Sequence, residues 1–193
     1  KKEDYLGINN FWFRQGNEII KNELRSPINL DALPSPDKSI LDNKLLLDQT
    51  ENMDRFIFGR GCPFDCPYCS CKVLRGLYKG QEKEFCSRLL DPKKSIEQIR
   101  LDAGKYRFNG IIFDDDIISL NKKWFYEFFT LYKQEFKYPF YCNVSLGTID
   151  SDMVRLLKEA GVKGIFIGIE HGNEEFRKTV LKRNITNQQI IDT

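Results

Sequence analysis

A short apolar run leads directly into three closely spaced cysteines in the stretch Arg55-Phe-Ile-Phe-Gly-Arg-Gly-Cys-Pro-Phe-Asp-Cys-Pro-Tyr-Cys69. Residues 55–59 have the length and apolar content of a buried β-strand. The glycine and prolines that follow predict a loop. Cys62, Cys66 and Cys69 are therefore predicted to lie in a loop that begins where a strand ends.

Three further apolar runs, at residues 110–114, 139–144 and 163–169, are also predicted to be strands. Helical periodicity fills the segments between the four runs. In the first segment, the helix is predicted to begin either at Pro92, as its first residue, or at Ser95, which has capping-box spacing to Gln98.

The next two helices also have recognisable ends. Asn121 is predicted to cap a helix with one broad aromatic face, and Ser151 to cap another that Gly161 ends. Thr186 is predicted to open a last helix. Strands that alternate with helices predict a parallel sheet with right-handed connections, and thus an α/β layer or barrel.

Polar residues follow the end of each predicted strand. The cysteines follow the first strand, Asp114 to Asp116 the second, Asn143 and Ser145 end the third, and Glu170 follows the fourth. In a parallel sheet these positions share one edge, where functional loops lie. The sequence therefore predicts one site at the carboxyl ends of the strands.

Composition narrows the possible environments of the protein. The chain has 193 residues, of which 41% are hydrophobic, and its 30 basic and 28 acidic residues nearly cancel. This balance does not indicate nucleic-acid or membrane affinity. The start of the chain lacks the apolar core of a signal peptide, and no apolar run is long enough to cross a bilayer. We therefore expect a cytoplasmic protein in which clustered cysteines bind metal instead of forming disulfides.

The spacing Cys-x3-Cys-x2-Cys offers three thiolates from one loop, whereas iron-sulfur clusters usually take four cysteines. One iron would then stay open to a ligand from outside the protein. This motif resembles that of the radical SAM superfamily, in which the open iron binds S-adenosylmethionine (SAM). The resemblance implies a 4Fe-4S cluster on Cys62, Cys66 and Cys69, with Tyr68 packed against the adenine of SAM. A zinc site with Cys71 as a fourth ligand is the alternative interpretation.

Two further segments resemble the superfamily. Residues 112–121 are similar to its second strand, which implies that Asp115 and Asp116 hold the amino group of SAM; the alternative is that such aspartates interact with a helix dipole or with solvent. Residues 161–172 are similar to its fourth strand, which implies a SAM contact for Glu170. Asn143, at the end of the third strand, is a further candidate. His171 is interpreted as a hydrogen-bonded structural residue, and no catalytic side chain is named.

The resemblance covers residues 55–193 and implies a partial (β/α)6 TIM-like barrel that contains four of the six strands. Residues 1–54 resemble the linker that follows a cobalamin-binding domain in one branch of the superfamily. The chain is thus interpreted as a fragment, with cobalamin bound by a domain outside it.

The leading functional hypothesis is a radical SAM enzyme that cleaves SAM reductively to a 5'-deoxyadenosyl radical. With cobalamin it would methylate or rearrange an organic substrate. Expected partners are a small-molecule substrate and an electron donor such as flavodoxin or ferredoxin. One alternative is a tRNA-modifying radical SAM enzyme, although the balanced charge disfavours a nucleic-acid partner. The other is a zinc-stabilised binding module without catalysis.

Overall fold

The structure is a computed structural model that describes residues 5–40, 47, 50–86 and 88–193. Its strands comprise an N-terminal hairpin, a short two-stranded ladder and a four-stranded sheet. In chain order the strands are β1 (Trp12–Gln15), β2 (Glu18–Lys21), β3 (Met53–Phe56), β4 (Gly59–Arg60), β5 (Arg88–Leu89), β6 (Gly110–Phe113), β7 (Phe140–Val144) and β8 (Val162–Ile167).

Helices connect the strands of the larger sheet. In chain order they are α1 (Ser70–Leu77), α2 (Glu82–Phe85), α3 (Pro92–Lys105), α4 (Lys122–Glu135), α5 (Ser151–Ala160), α6 (Glu174–Thr179) and α7 (Asn187–Asp192). Short 3-10 turns lie at Tyr5–Gly7, Leu30–Ala32 and Lys38–Ile40. In the part of the chain that the structure describes, no helix is both long and apolar enough to cross a bilayer.

The larger sheet is parallel, with strand order β3-β6-β7-β8. This confirms the predicted α/β class and the four predicted strands. The spatial order of the strands equals their order along the chain, as in a barrel, whereas a doubly wound sheet reverses its order at a switch point. All four carboxyl ends meet at one edge.

The first predicted strand differs most from the structure. Pairing with β6 covers only Met53–Phe56, after which the chain leaves the sheet. The backbone N–H groups of Phe58 and Gly59 instead donate to the Asp115 carboxylate, and Gly59–Arg60 pairs with Arg88–Leu89 in antiparallel register. The chain thus stays extended through residue 60 but pairs with Asp115 and β5 instead of β6. The cysteines that follow therefore lie outside the parallel sheet.

The helix ends test the predicted caps. Helix α3 begins at Pro92 and not at Ser95, because Asp91 accepts hydrogen bonds from the N–H groups of Lys93 and Lys94. Asn121 caps α4 as predicted, accepting from Trp124 N at 3.0 Å. The cap of α5 is Asp150, so the prediction of Ser151 was wrong by one residue.

Two remaining predictions at helix ends are confirmed. Gly161 ends α5 with φ of +96°, in the left-handed region that glycine adopts without strain. Thr186 caps α7 and forms a reciprocal capping box with Gln189.

The core lies between the sheet and helices α3, α4 and α5, and it is unusually aromatic. The predicted aromatic face of α4 is buried in it. Phe113 of β6 lies at its centre, is fully buried, and packs against aromatic rings at centroid distances of 5.3 to 6.0 Å. These rings are Phe58, Phe128, Phe129, Tyr132 and Phe140.

The segment before β3 is attached to this core through Lys38. Its ammonium group lies 2.9 Å from the Asp54 carboxylate and 3.0 Å from the Asp102 carboxylate, and 4.0 Å from the ring centroid of Phe56. Further along the surface, Asp31 accepts a hydrogen bond from Asp91 N at 2.8 Å. The segment therefore packs against the start of the α/β unit through charged and polar contacts.

Candidate functional site

The cysteine loop runs from β4 to α1 and is folded by its neighbours. Gly61 has φ of +84°, and a Cβ there would collide with the backbone oxygen of Phe85. From α1, the Arg75 guanidinium donates to the carbonyl oxygens of Cys62 at 2.9 Å and Phe64 at 3.3 Å. Only glycine fits the tight start of the loop, and Arg75 holds two of the carbonyl groups of the loop in place.

A cavity of about 440 Å³ opens between this loop and the carboxyl ends of the strands. Residues from the ends of β6, β7 and β8 line it together with the loop. This confirms the prediction that the polar residues meet at one edge of the sheet. Seven of the eight candidate site residues line the cavity: Cys62, Cys66, Tyr68, Cys69, Asp116, Asn143 and Glu170.

All three loop cysteines are free thiols. Cys62 is 8% exposed, and burial raises the pKa of its thiol; Cys66 and Cys69 are half-buried. Among the described residues, no group of three or more His, Cys, Asp or Glu side chains is arranged to hold a metal ion. Thiolates on a cubane cluster each bind a different iron, so they surround the cluster instead of converging on one ion. The three thiols come from one loop and line one cavity, and their number and chemistry fit that donor set.

The three consecutive aspartates have separate roles. Asp114 is half-exposed and pairs with Arg55 through two contacts of 2.6 Å. Asp116 lines the cavity and accepts a hydrogen bond from the Cys71 thiol at 3.2 Å. Burial, followed by the contact with Asp116, raises the pKa of Cys71 to about 12. Cys71 is therefore a neutral donor that orients the Asp116 carboxylate.

The Asp115 side chain is the candidate residue that does not line the cavity. It is 2% exposed, and its carboxylate accepts from Phe58 N at 3.2 Å and from Gly59 N. Burial raises its pKa to about 6, against the opposing effect of these N–H groups. Asp115 thus bonds the backbone that leads into the cysteine loop, and the structure does not bring it to the cavity with the other candidates.

Strand β7 separates the site from the core by the alternation of its side chains. Cys142 is fully buried in the core, as expected for a small apolar residue, while Asn143 faces the cavity. The Asn143 amide nitrogen donates to Asp115 O at 3.0 Å. Ser145, next along the strand end, also lines the cavity.

The chain after β8 places Glu170 at the cavity in a strained conformation. Glu170 has φ of +70°, which is uncommon for a residue with a Cβ. Its carboxylate packs against Gly168, where a Cβ would displace it. The neighbouring His171 accepts from Asn173 N at 3.1 Å and its ring packs on Phe176. These contacts agree with a structural role for His171.

Phe166 and Arg183 line the cavity but were not among the candidates that the sequence predicted. Phe166 of β8 is exposed and stacks on Tyr141 with a centroid distance of 5.9 Å. Arg183, between α6 and α7, reaches the cavity from a segment without a recognisable motif. No periodicity or motif spacing in the sequence marks Arg183. Its place at the cavity is seen only in the structure.

The fold and the site define an α/β protein with a thiol-lined cavity at the carboxyl edge of its parallel sheet. The sequence model of the radical SAM superfamily matches residues 56–193. The chain belongs to this superfamily, as the cysteine spacing predicted.

Two proteins described as uncharacterised methyltransferases are similar in sequence. The one from Pyrococcus horikoshii is 26% identical over 196 residues, covering 100% of this chain and 40% of its own length. The one from Synechocystis is 28% identical over 141 residues, covering 70% of this chain and 25% of its own length. The chain thus spans well under half the length of these curated relatives.

Solved structures of the radical SAM methyltransferase TsrM from Kitasatospora setae share the fold. The structure with tryptophan and a SAM analogue bound aligns with a TM-score of 0.69 and 12% identity, over 97% of this chain and 38% of that one. A second, with cobalamin and a [4Fe-4S] cluster bound, aligns with a TM-score of 0.55 and 13% identity, over 72% of this chain and 27% of that one.

Proposed function

We propose that this chain is the SAM-cleaving core of a cobalamin-dependent radical SAM methyltransferase that acts on a small organic substrate. The observation that carries the proposal is the cavity in which Cys62, Cys66 and Cys69 from one loop face polar side chains from three strand ends. A reduced 4Fe-4S cluster supplies one electron to the sulfonium of SAM, which yields methionine and a 5'-deoxyadenosyl radical.

The residues of the chain divide the work of binding. Cys62, Cys66 and Cys69 hold the cluster through three thiolates, which leaves one iron for SAM. The Asp116 carboxylate, oriented by Cys71, suits the ammonium group of SAM because charge-assisted hydrogen bonds are strong in a partly dry site. Tyr68 offers its ring to the adenine.

Asn143 and Glu170 complete the SAM site. The Asn143 amide is already fixed by Asp115 O, so its carbonyl oxygen is presented in a set direction. Glu170 has a left-handed backbone, and it lines the cavity. A prearranged site of this kind binds with a smaller loss of side-chain entropy.

Methyl transfer and cobalamin are proposed from the relatives. Both curated relatives are named methyltransferases, and one TsrM structure holds cobalamin. Residues 55–193 would form the radical SAM core, and residues 1–54 the linker after a cobalamin-binding domain. We place the protein in the cytoplasm, where a flavodoxin or ferredoxin would supply electrons and thiols stay reduced.

The test is anaerobic reconstitution of the full-length protein with iron and sulfide, followed by reduction and addition of SAM. We expect an electron paramagnetic resonance signal that changes when SAM is added, together with cleavage of SAM. A variant with Cys62, Cys66 and Cys69 all replaced by alanine serves as the control and is expected to show neither.

Two results would contradict the proposal. A tightly bound zinc ion without a cluster or SAM cleavage would indicate a binding module. A cluster that forms and cleaves SAM in the triple-alanine variant would show that other residues hold it.

A further inference from the structure

Arg183 crosses from the segment between α6 and α7 to the cysteine loop. Its side chain is 15% exposed. Its Nη1 atom lies 4.0 Å from the sulfur of Cys66 and donates to the Tyr68 hydroxyl at 3.3 Å, while Nη2 donates to Gly168 O at 2.8 Å. The guanidinium thus lies directly beside one of the three thiols, between the loop and the end of β8.

Arg183 forms a long ion pair within the part of the chain that the structure describes. The Glu170 carboxylate is 3.8 Å away, and Arg183 Nε is buried without a hydrogen-bond partner among the described residues. Arg100, by contrast, pairs with both oxygens of Glu135 on the surface. The Cys66 sulfur therefore lies about as close to Arg183 Nη1 as the Glu170 carboxylate does, at 4.0 Å and 3.8 Å.

The backbone that carries Arg183 is held in place by another arginine. Arg183 N donates to Arg177 O at 2.9 Å. The fully buried Arg177 guanidinium donates to His171 O at 2.7 Å, to Ile185 O, and to the Asn187 side chain at 2.6 Å. The Arg183 position is thus fixed by the fold of the segment and does not depend on its own side-chain contacts.

We propose that Arg183 is a positioning residue that stabilises the negative charge on the Cys66 thiolate and thereby sets the reduction potential of the bound cluster. The inference rests on the proposed function, because it requires a cluster on Cys66. Reduction adds one electron, and so one negative charge, to the group that the thiolates hold. A nearby cation therefore favours the reduced form, and it does so more strongly where solvent screening is weak.

The experiment is a redox titration of the reconstituted full-length protein, with dithionite as the one-electron donor and paramagnetic resonance as the readout. Arg183→Gln removes the positive charge. Arg183→Lys keeps the charge but replaces the planar guanidinium group with an ammonium group. Arg155→Gln removes an equal charge from an exposed position, where the side chain is 67% exposed, and serves as the matched control.

We expect Arg183→Gln to lower the equilibrium constant for reduction about tenfold, which is about 59 mV for one electron. Arg183→Lys should lie closer to the wild type, and Arg155→Gln should equal it. A purely structural role would not give this order of potentials. Wild-type potential in Arg183→Gln would overturn the inference.

The inference can also be judged if an Arg183 variant fails to bind the cluster. If Arg183→Gln fails to bind the cluster and Arg183→Lys binds it, the charge is required and the inference stands. If both variants fail, the shape of the arginine matters and not its charge, and the inference falls. If the wild type binds no cluster, the proposed function fails instead, so the two failures are distinguishable.

Discussion

The aromatic core and the cavity lie on opposite sides of β7, and their side chains differ in kind. Toward helices α3 to α5, side chains such as Phe113 and Cys142 are fully buried and meet other apolar groups. Toward the cavity, the Asn143 amide bonds to Asp115 O, and Glu170 has a strained, left-handed backbone. Apolar contacts fill the core, whereas polar and thiol groups line the cavity.

This difference separates stability from function in the molecule. A change in the core should alter the free energy of unfolding and leave ligand binding largely intact. A change in the cavity should do the reverse. The following substitutions test that separation with pairs of the same residue type where the chain offers them.

The largest effect is expected from Cys66→Ser compared with Cys142→Ala. Cys66→Ser should lose nearly all cluster binding, because a thiolate ligand is removed, with little change in the melting temperature of the cluster-free protein. Cys142→Ala should bind the full cluster and lose about 1 kcal/mol of stability, as is typical for a small buried side chain. Iron and sulfide content and thermal unfolding measure the two effects. Full iron content in Cys66→Ser would contradict the assignment of that cysteine.

Phe113→Ala should have the largest effect on stability. The side chain is fully buried and contacts several aromatic rings, so its loss leaves a cavity that the core cannot close. A loss of about 3 to 5 kcal/mol is expected, measured by urea unfolding. A loss below about 1 kcal/mol would mean that the core rearranges freely.

Asp115 should make stability depend on pH. Its pKa is raised to about 6 in the folded protein, so between about pH 4 and pH 6 the folded state binds more protons than the unfolded state. The contribution of this group is therefore present below about pH 4 and lost as pH rises through 6, by roughly 3 kcal/mol. Asp115→Asn should flatten the pH dependence of urea unfolding in cluster-free protein. An unchanged slope in the variant would assign the effect to another group.

Phe166→Ala should have the smallest effect on folding. This phenylalanine is 57% exposed at the cavity, in contrast to Phe113. The free energy of unfolding should change by no more than about 0.5 kcal/mol. Urea unfolding beside Phe113→Ala makes the comparison, and a loss above about 2 kcal/mol would place Phe166 in the stable core.

The sequence was sufficient to predict the sheet because its four apolar runs are short, regular and separated by capped helices. It also predicted that Asn143 and Glu170 share an edge with the cysteines, since parallel strands align their carboxyl ends. The exact ends of the helices were harder to predict. Asp150 and Ser151 are both good caps, and only the backbone geometry of the folded chain selects between them.

The sequence could not show that the two adjacent aspartates have different roles, or that a distant arginine lies at the site. Asp115 and Asp116 are the same residue in the same motif, but the chain turns after β6 and sends one carboxylate to backbone N–H groups and the other to the cavity. Arg183 contacts Cys66 across 117 positions of sequence, and only the folding of the chain brings the two residues together.

Arg177 makes the segment after β8 largely self-supporting, because the groups it bonds all lie between residues 171 and 187. We expect that residues 168–187 can be exchanged as one segment between related proteins, because the contacts of Arg177 lie within the segment. Exchanging it between relatives would reshape one wall of the cavity while the aromatic core stays untouched.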